Sequence, residues 1–173
     1  ASRWDWRELY GDPRTEDNKT NIKWGGFIDG VDEFDPLFFG ISPREAQLMD
    51  PQQRLLMTYA WKVIEAAGYA PESLSGSSVG IFVGTYTSGY QELAAQAGIA
   101  IDGYSSTGMS TSIGPNRMSY FLNLHGPSEP IETACSSSLV AIHRAVHAIK
   151  SGSCEAAIAG GANAILKPWN HIA

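Results

Sequence analysis

Cys135 lies in the segment of this chain that is best suited to nucleophilic chemistry. Residues 128–133 before it predict a short strand, because Pro130 excludes a helix and the segment contains two β-branched residues. After it, apolar residues recur at helical spacing until Gly152, a natural helix stop. We therefore expect Cys135 at or beside a helix N-terminus, where free N–H groups and the positive end of the helix dipole favour a thiolate. The same amides are able to hold an oxyanion.

The chain has two cysteines, and the alternative for each is the ordinary fate of a free cysteine, burial as a small apolar side chain. Cys154 begins an apolar run, and we expect it to be packed rather than reactive. A disulfide across the intervening helix is disfavoured by the reducing cytosol in which we place the protein. Both cysteines are therefore expected as free thiols, with Cys135 as the candidate nucleophile.

Other chemically suggestive patterns have simpler explanations. His143 and His147 lie on one face of the predicted helix, but the segment lacks a third ligand and the glutamate of the His-Glu-x-x-His zinc motif. We place both on a polar or interface face, because the helix has a separate apolar stripe that we expect to face the core: Leu139, Ile142, Val146 and Ile149. The acidic residues between positions 29 and 35 do not fit a calcium-binding loop and predict a solvated loop. We expect no bound metal.

Capping signals predict two helices in the first half of the chain. Ser42 and Pro43, with Glu45 three residues after the serine, form a capping-box signature, so a helix begins there. The Asp-Pro pair at residues 50–51 repeats the cap-and-proline signal and predicts a longer helix that ends at Gly68. We expect the apolar face of this longer helix to comprise Leu55, Tyr59, Val63 and Ala67.

Short apolar runs between helical segments indicate an α/β layered domain with a covered parallel or mixed sheet. Strands are predicted over residues 79–84 and 156–159, in addition to the one before Cys135. Helices are predicted near residues 88–96 and 114–122. Residues 1–23 are polar and rich in turn formers, so they predict a surface loop region.

The composition is that of an ordinary globular domain. Of the 173 residues, 43% are apolar and 17% are charged, and the formal net charge is −6. The negative charge and the scattered basic residues argue against nucleic acid as a partner. No apolar run approaches the roughly eighteen residues of a membrane-spanning helix, and no signal peptide is visible. We therefore expect no membrane association and a cytoplasmic protein.

A series of motifs extends along nearly the whole chain, in the order 24–28, 34–46, 49–56, 126–128, the Thr-Ala-Cys-Ser-Ser-Ser run at 133–138, and 156–163. Together these motifs resemble those of β-ketoacyl synthases, and in particular the ketosynthase domain of modular type I polyketide synthases. Residues 3–6, 18–19 and 103–108 are further similar to synthases that use a separate, trans-acting acyltransferase. The resemblance implies a thiolase-like fold, a layered α/β sandwich. Residues 1–173 would form the N-terminal half only, a partial ketosynthase domain without the family's first strand and the whole C-terminal half.

The resemblance also implies what the cysteine does. In the family, the nucleophile takes an acyl chain from a phosphopantetheine thioester and passes it to a carbanion, which forms by decarboxylation of a malonyl thioester on an acyl carrier protein. Carried over to this sequence, the resemblance makes Cys135 the nucleophile and a backbone oxyanion donor of an acyltransferase with no bound cofactor. Four residues are expected to line or neighbour the acyl pocket, partly across a dimer interface, with ordinary loop and core packing as an equal alternative: Tyr90, Tyr104, Ser105 and Met109.

The implied partners are acyl carrier protein domains, other domains of the same megasynthase, and a second copy of the chain. The catalytic histidines of the family are not matched here, since neither His125 nor His171 fits their motifs. We therefore expect these residues alone to be poorly stable and inactive in condensation. Two alternatives stay open: a non-elongating ketosynthase that only passes chains along, and a non-catalytic structural or dimerisation piece.

Overall fold

The computed structural model describes residues 4–100 and 102–172, in which three strands are separated by helices. In chain order the elements are α1 (Pro43–Leu48), α2 (Pro51–Ala66), β1 (Val79–Gly84), α3 (Tyr90–Gln96), α4 (Gly103–Met109), α5 (Ile113–Phe121), β2 (Ser128–Ile131), α6 (Ser137–Lys150), β3 (Ala156–Gly161) and α7 (Trp169–Ile172). Short 3-10 turns occur at Trp6–Glu8 and Pro71–Leu74. The segment before α1 also contains an isolated bridge between Tyr10 and Thr20. Of the predicted surface loop, residues 1–3 lie outside the described residues.

The strands form a three-stranded parallel sheet in the order β2-β1-β3. The central strand β1 is buried along its whole length, as expected for a strand that is covered on both faces. It pairs Ile81 with Ser128 of β2 and Val79 with Ala156 of β3. The predicted α/β architecture is thus confirmed, with β3 extending to Gly161. Because the strands are parallel, their carboxyl ends lie at the same edge of the sheet.

Helices cover both faces of the sheet, because successive side chains of β1 point to opposite sides. Ile81 and Val83 face a core that contains Met57 of α2 and Met118 of α5. Phe82 points to the other face, into a cluster with the buried alanines of α6 and with Cys154. Cys154 is 3% exposed and unpaired, which confirms the expectation of a packed free thiol.

The predicted core stripe of α6 is wrong, because the structure buries another face of the helix. All four residues of the stripe are exposed: Leu139 (70%), Ile142 (49%), Val146 (46%) and Ile149 (44%). The buried face consists of Ala141, Ala145 and Ala148, whose small side chains let the helix axis approach the sheet closely. The alanines also recur at helical spacing, so periodicity alone does not distinguish the face that packs on the sheet from the face with larger apolar side chains. His143 and His147 are exposed.

The predicted apolar face of α2 is wrong for a related reason. Tyr59 is 54% exposed and Val63 is 48% exposed. The face that packs on the core comprises Gln53, Met57, Ala60 and Ile64. Its first member is polar, and it is buried because its side chain bonds to backbone carbonyls of Thr107 and Ser110. A hydrophobicity pattern does not register a glutamine that is buried through hydrogen bonds.

The predicted helix starts at Ser42 and Asp50 are confirmed, with one difference in the capping. The Ser42 hydroxyl accepts from the N–H of Glu45 at 3.1 Å. The Glu45 carboxylate does not return to Ser42 but pairs with Arg117 of α5 at 2.6 Å. A tertiary ion pair has therefore replaced the second half of the capping box.

Helix α4 was not predicted, because it contains two glycines, which disfavour helix formation. Its N-terminus has a complete capping box between Asp102 and Ser105. Close packing requires a glycine at position 108, since a Cβ there would lie 2.3 Å from the carbonyl oxygen of Leu48. Within the described residues, no helix combines the length and apolar character needed to cross a membrane.

Candidate active site

The carboxyl ends of the three strands meet around a cavity of about 470 Å³. β1 contributes Gly84 and the residues that follow it, β3 contributes its own end and the loop after it, and the loop after β2 contributes the cysteine. The lining residues are Gly84, Thr85, Tyr86, Ala134, Cys135, Ser137, Ser138, Gly161, Ala162 and Asn163. In open parallel sheets, this edge is where ligands bind.

Cys135 is exposed and lies at the start of α6, as the sequence predicted. It precedes Ser136, the N-cap residue of the helix. No side chain of the described residues accepts a hydrogen bond as a cap at this N-terminus. The positive end of the helix dipole is therefore directed toward the loop that carries the thiol, which favours negative charge there.

The loop before Cys135 is held in an unusual backbone conformation. Ala134 has φ +52°, in the left-handed region that side chains other than glycine rarely adopt. Two serines hold this turn: Ser136 donates its hydroxyl proton to the carbonyl of Thr133 at 2.7 Å, and Ser137 donates to the carbonyl of Ala134 at 2.7 Å. The Ser137 hydroxyl also accepts from the N–H of Thr133 at 2.9 Å. The serines of the motif thus fix the direction in which Cys135 projects.

Glycines allow α6 to begin close to the sheet. A Cβ on Gly84 would lie 2.9 Å from the Cβ of Ser137 and 3.1 Å from the backbone nitrogen of Ser138. A Cβ on Gly161 would lie 3.2 Å from the carbonyl oxygen of Gly84. Any side chain at Gly84 would therefore push the first turn of α6 away from the strand ends and would move the cysteine with it.

Gln52 holds the two loops that face each other across the cavity, and sequence reasoning gave it no role. Its side chain is 3% exposed at the start of α2. The amide group donates to the carbonyl of Tyr86, after β1, at 2.5 Å. Its oxygen accepts from the N–H of Ala164, after β3, at 3.3 Å. A buried glutamine directly after an Asp-Pro helix start is a weak sequence signal, because its partners are remote in the chain.

A second cavity, of about 640 Å³, lies between α1, α3 and α4. Ser105 and Met109, two of the predicted pocket residues, contribute to its wall. A narrow space of about 10 Å³ separates it from the cavity at Cys135. That space shares Thr85 with the cysteine cavity and Met109 with the second cavity. The three spaces are therefore neighbours, in an order that leads from the thiol toward α4.

The two tyrosines predicted near the acyl pocket lie elsewhere in this region. The hydroxyl of Tyr90 donates to the carbonyl of Gln47, and its ring lies 5.5 Å from the guanidinium carbon of Arg54. Tyr104 is 46% exposed on α4. Neither tyrosine is among the residues that line the two larger cavities. Ser105 is itself 7% exposed, and its hydroxyl accepts from the N–H of Asp102 at 3.0 Å.

Asp102 fixes the helix that carries Ser105 and Met109. Its carboxylate accepts from the N–H of Tyr104 at 2.9 Å and pairs with Arg44 of α1 at 2.7 Å. The backbone N–H of Tyr104, followed by the Arg44 guanidinium, lowers the pKa of Asp102 below its ordinary value of 3.8. The carboxylate therefore stays ionised and keeps α4 attached to α1.

None of the four histidines, all in the described part of the chain, lines the cavity at Cys135. His125 is within hydrogen-bond distance of Asn123, at 3.2 Å, and His171 lies beside Trp4 and Phe27. His143 and His147 lie farther along α6. Among the described residues, no group of three or more metal-ligating side chains comes together. The site thus presents a thiol, backbone amides and hydroxyls, without an imidazole.

Comparison with known proteins places this geometry in a family. The family "Beta-ketoacyl synthase, N-terminal domain" matches residues 1–173. Polyketide synthase PksN of Bacillus subtilis is 63% identical over 170 residues, which are 98% of this chain and 3% of that protein.

Two solved structures share the fold. The oxazolomycin ketosynthase domain OzmH KS7 of Streptomyces albus has TM-score 0.86 and 38% identity over 98% of this chain and 30% of its own. The ketosynthase from module 6 of the bacillaene synthase of Bacillus subtilis has TM-score 0.84 and 36% identity, covering 99% of this chain and 27% of its own. Both confirm the predicted thiolase-like fold. The chain, which spans less than a third of each of these proteins, belongs to the N-terminal domain family of the β-ketoacyl synthases, in the group found in polyketide synthases.

Proposed function

We propose that this chain supplies the nucleophile of a ketosynthase in polyketide biosynthesis, with Cys135 as the residue that carries the acyl chain. The observation that supports this most directly is the position of the thiol, at the mouth of the cavity formed by three carboxyl strand ends and beside an uncapped helix start. The protein is an acyltransferase acting on thioesters of acyl carrier protein domains, in the cytoplasm.

The reaction has two halves that use the same sulfur. In the first, the Cys135 thiolate attacks the carbonyl carbon of an acyl-phosphopantetheine thioester, and the pantetheine thiolate leaves. In the second, decarboxylation of a malonyl-type thioester on a carrier gives a carbanion, which attacks the acyl carbon and releases the Cys135 thiolate. The backbone N–H of Cys135 stabilises the tetrahedral oxyanion of each half, and such donors each supply about 3 kcal/mol. A thiolate is suited to both halves because it is a good nucleophile and a good leaving group.

The acyl chain would extend from Cys135 past Thr85 toward Met109 and the second cavity. Ser105 and Met109 are the predicted pocket residues that support this path, because they line that cavity. Tyr90 would act indirectly, because its hydroxyl joins α3 to Gln47 of α1, and Tyr104 would contribute from the exposed side of α4. The motif similarity of residues 18–19 and 103–108 further favours a synthase served by a trans-acting acyltransferase. Other domains of the same megasynthase and a second copy of the protein would complete the assembly.

The test is covalent loading of the full protein that carries this sequence. It is incubated with an acyl-pantetheine thioester, and the acyl adduct is located by mass spectrometry of the peptide containing Cys135. Cys135→Ala should abolish loading, whereas Cys154→Ala should retain it because Cys154 is buried in the core. Persistent loading of Cys135→Ala would overturn the proposal. Addition of a malonyl-loaded carrier then separates a condensing from a non-elongating ketosynthase, since only the former yields a 3-oxoacyl product.

A second candidate function, as a structural or dimerisation unit, is favoured by the exposed stripe of α6. Four large apolar side chains along one helix face form a surface of the kind that mediates protein contacts. Ile142→Glu together with Val146→Glu should abolish self-association in size-exclusion chromatography if this face is the contact. A folded, self-associating protein that never loads an acyl chain would favour this second candidate over the first.

A further inference from the structure

The hydroxyl of Thr85 is a buried polar group without a partner in the protein. Thr85 directly follows β1 and is 5% exposed. Its backbone N–H donates to the carbonyl of Ile131 at 3.0 Å. Its Oγ1 atom is shielded from solvent and has no hydrogen-bond partner among residues 4–100 and 102–172. Leaving such a group unsatisfied is destabilising, so a valine of the same shape would give a more stable protein here.

The place of Thr85 suggests what this hydroxyl is for. Thr85 lines the cavity that contains Cys135, and it also lines the narrow space that leads to Met109. The other hydroxyl groups of the turn beside the thiol are engaged, since Ser136 and Ser137 bond to the backbone of residues 133–134. Thr85 is therefore a residue of the cavity wall whose shielded hydroxyl has no partner among the described residues.

We propose that Thr85 determines specificity for acyl chains that carry oxygen at C3, by hydrogen bonding to a 3-hydroxyl or 3-oxo group of the chain held on Cys135. The proposal rests on the proposed function of Cys135. On the proposed function the thioester carbonyl is bound by the backbone N–H of Cys135, so the partner of Thr85 is an oxygen farther along the chain. Chains that grow by two-carbon units carry their next oxygen at C3. No bond to Thr85 is made or broken, because its role is to bind and orient.

The expected preference follows from the cost of an unpaired hydroxyl. A 3-hydroxyacyl chain satisfies Oγ1, whereas a saturated chain leaves it buried without a partner. A difference of about 1–3 kcal/mol corresponds to roughly a fivefold to hundredfold preference in loading rate. Thr85→Val removes the hydroxyl and keeps the shape, so it should abolish the preference without lowering the loading of saturated chains.

The experiment compares loading of Cys135 by butyryl- and 3-hydroxybutyryl-pantetheine in the full protein and in three variants. The quantity measured is the ratio of the two second-order loading rates, obtained by mass spectrometry. Thr85→Val should lower this ratio roughly fivefold to hundredfold, and Thr85→Ser, which keeps the hydroxyl, should retain most of it. Thr20→Val is the matched control, because Thr20 is also buried, at 7% exposure, and its hydroxyl accepts from the N–H of Ile22 outside the cavities.

The outcomes separate the possible failures. A ratio unchanged in Thr85→Val, or an equal loss for both thioesters, would overturn the role of Thr85 while leaving Cys135 as the nucleophile. Wild-type protein that accepts neither thioester would overturn this inference together with the proposed function. Thermal unfolding supplies an independent readout: Thr85→Val should unfold no lower than wild type, whereas Thr20→Val should unfold at a lower temperature because it loses a hydrogen bond.

Discussion

Replacing Gln52 should test whether the loops around Cys135 must be held in register for acyl loading. Gln52→Met keeps the length of the side chain and removes both hydrogen bonds. The N–H of Ala164, a residue that is 2% exposed, would lose its partner at a cost of about 1–3 kcal/mol. Tyr86 is 48% exposed, so its carbonyl can be rehydrated and should add about 1 kcal/mol at most. We expect a total loss of roughly 1–4 kcal/mol in the free energy of unfolding.

The loss of acyl loading should be separate from the loss of stability. Without Gln52, Tyr86 and Ala164 lose the side chain that joins them, and the cavity wall formed by the loops after β1 and β3 can shift, although the bond from the N–H of Ala162 to the carbonyl of Gly84 remains. A displacement of about 1 Å in a reacting geometry costs up to a hundredfold in rate. We therefore expect the loading rate of Cys135 to fall roughly tenfold to a hundredfold under conditions in which the variant is fully folded. The loading rate is measured by mass spectrometry, and urea unfolding establishes that the variant is folded.

Ile64→Ala is the control matched for stability. Ile64 is 4% exposed, lies in the core on α2 and lines none of the three cavities. Its truncation should cost about 2–5 kcal/mol and leave the loading rate of the folded protein unchanged. The reasoning is refuted if Gln52→Met loses the expected stability yet loads at the wild-type rate. It is equally refuted if Ile64→Ala slows loading as much as Gln52→Met does.

Three further perturbations test the parts of the site separately. Ala134→Val should lower the free energy of unfolding by about 1–2 kcal/mol and slow acyl loading, because a β-branched residue resists φ +52°. Ala134→Gly should keep the wild-type stability and the wild-type loading rate. Equal behaviour of the two variants in urea unfolding would contradict this. Gly84→Ala should cost about 1–3 kcal/mol and displace the start of α6, because its Cβ would lie 2.9 Å from that of Ser137. Gly26→Ala, where a Cβ meets nothing within 4 Å, is its control. Ionised Asp102 stabilises the fold at pH values above 3.8, the ordinary pKa of the group, and this effect is lost as the pH falls through the lower pKa that Asp102 has in the folded protein. Asp102→Asn should therefore make amide exchange in α4 depend less on pH in the acid range. An unchanged acid dependence would exclude Asp102 as its source.

Local signals explain why the setting of Cys135 was predictable. Pro130, the helical spacing after the cysteine and Gly152 all act within one strand-helix unit, and each is confirmed by β2, α6 and the positive φ of Gly152. The fold family followed from motifs in a fixed order along the chain. Capping residues likewise identified the starts of α1 and α2, since a cap bonds to amides only two or three residues away.

Long-range contacts explain what sequence reasoning missed at the site. Gln52 and Ala164 are 112 residues apart, and Thr85 reaches the cavity from a third segment. Nothing in the sequence around Gln52 or Thr85 distinguishes these two residues from ordinary polar side chains. Their roles arise from the parallel sheet, which brings the carboxyl ends of β1, β2 and β3 to one edge.

The sequence by itself determined the strand-to-helix junction at Cys135, the α/β order of the elements and the family. Only the tertiary structure decided which helix faces are buried. In α6 the alanines pack on the sheet and the larger residues are exposed, and in α2 a face that includes a glutamine is buried while Tyr59 is exposed. Periodicity defines which residues share a face, but the packed face is chosen by how closely a helix can approach its partner and by which buried polar groups find bonds. Those two quantities belong to the contact between elements and not to any one segment.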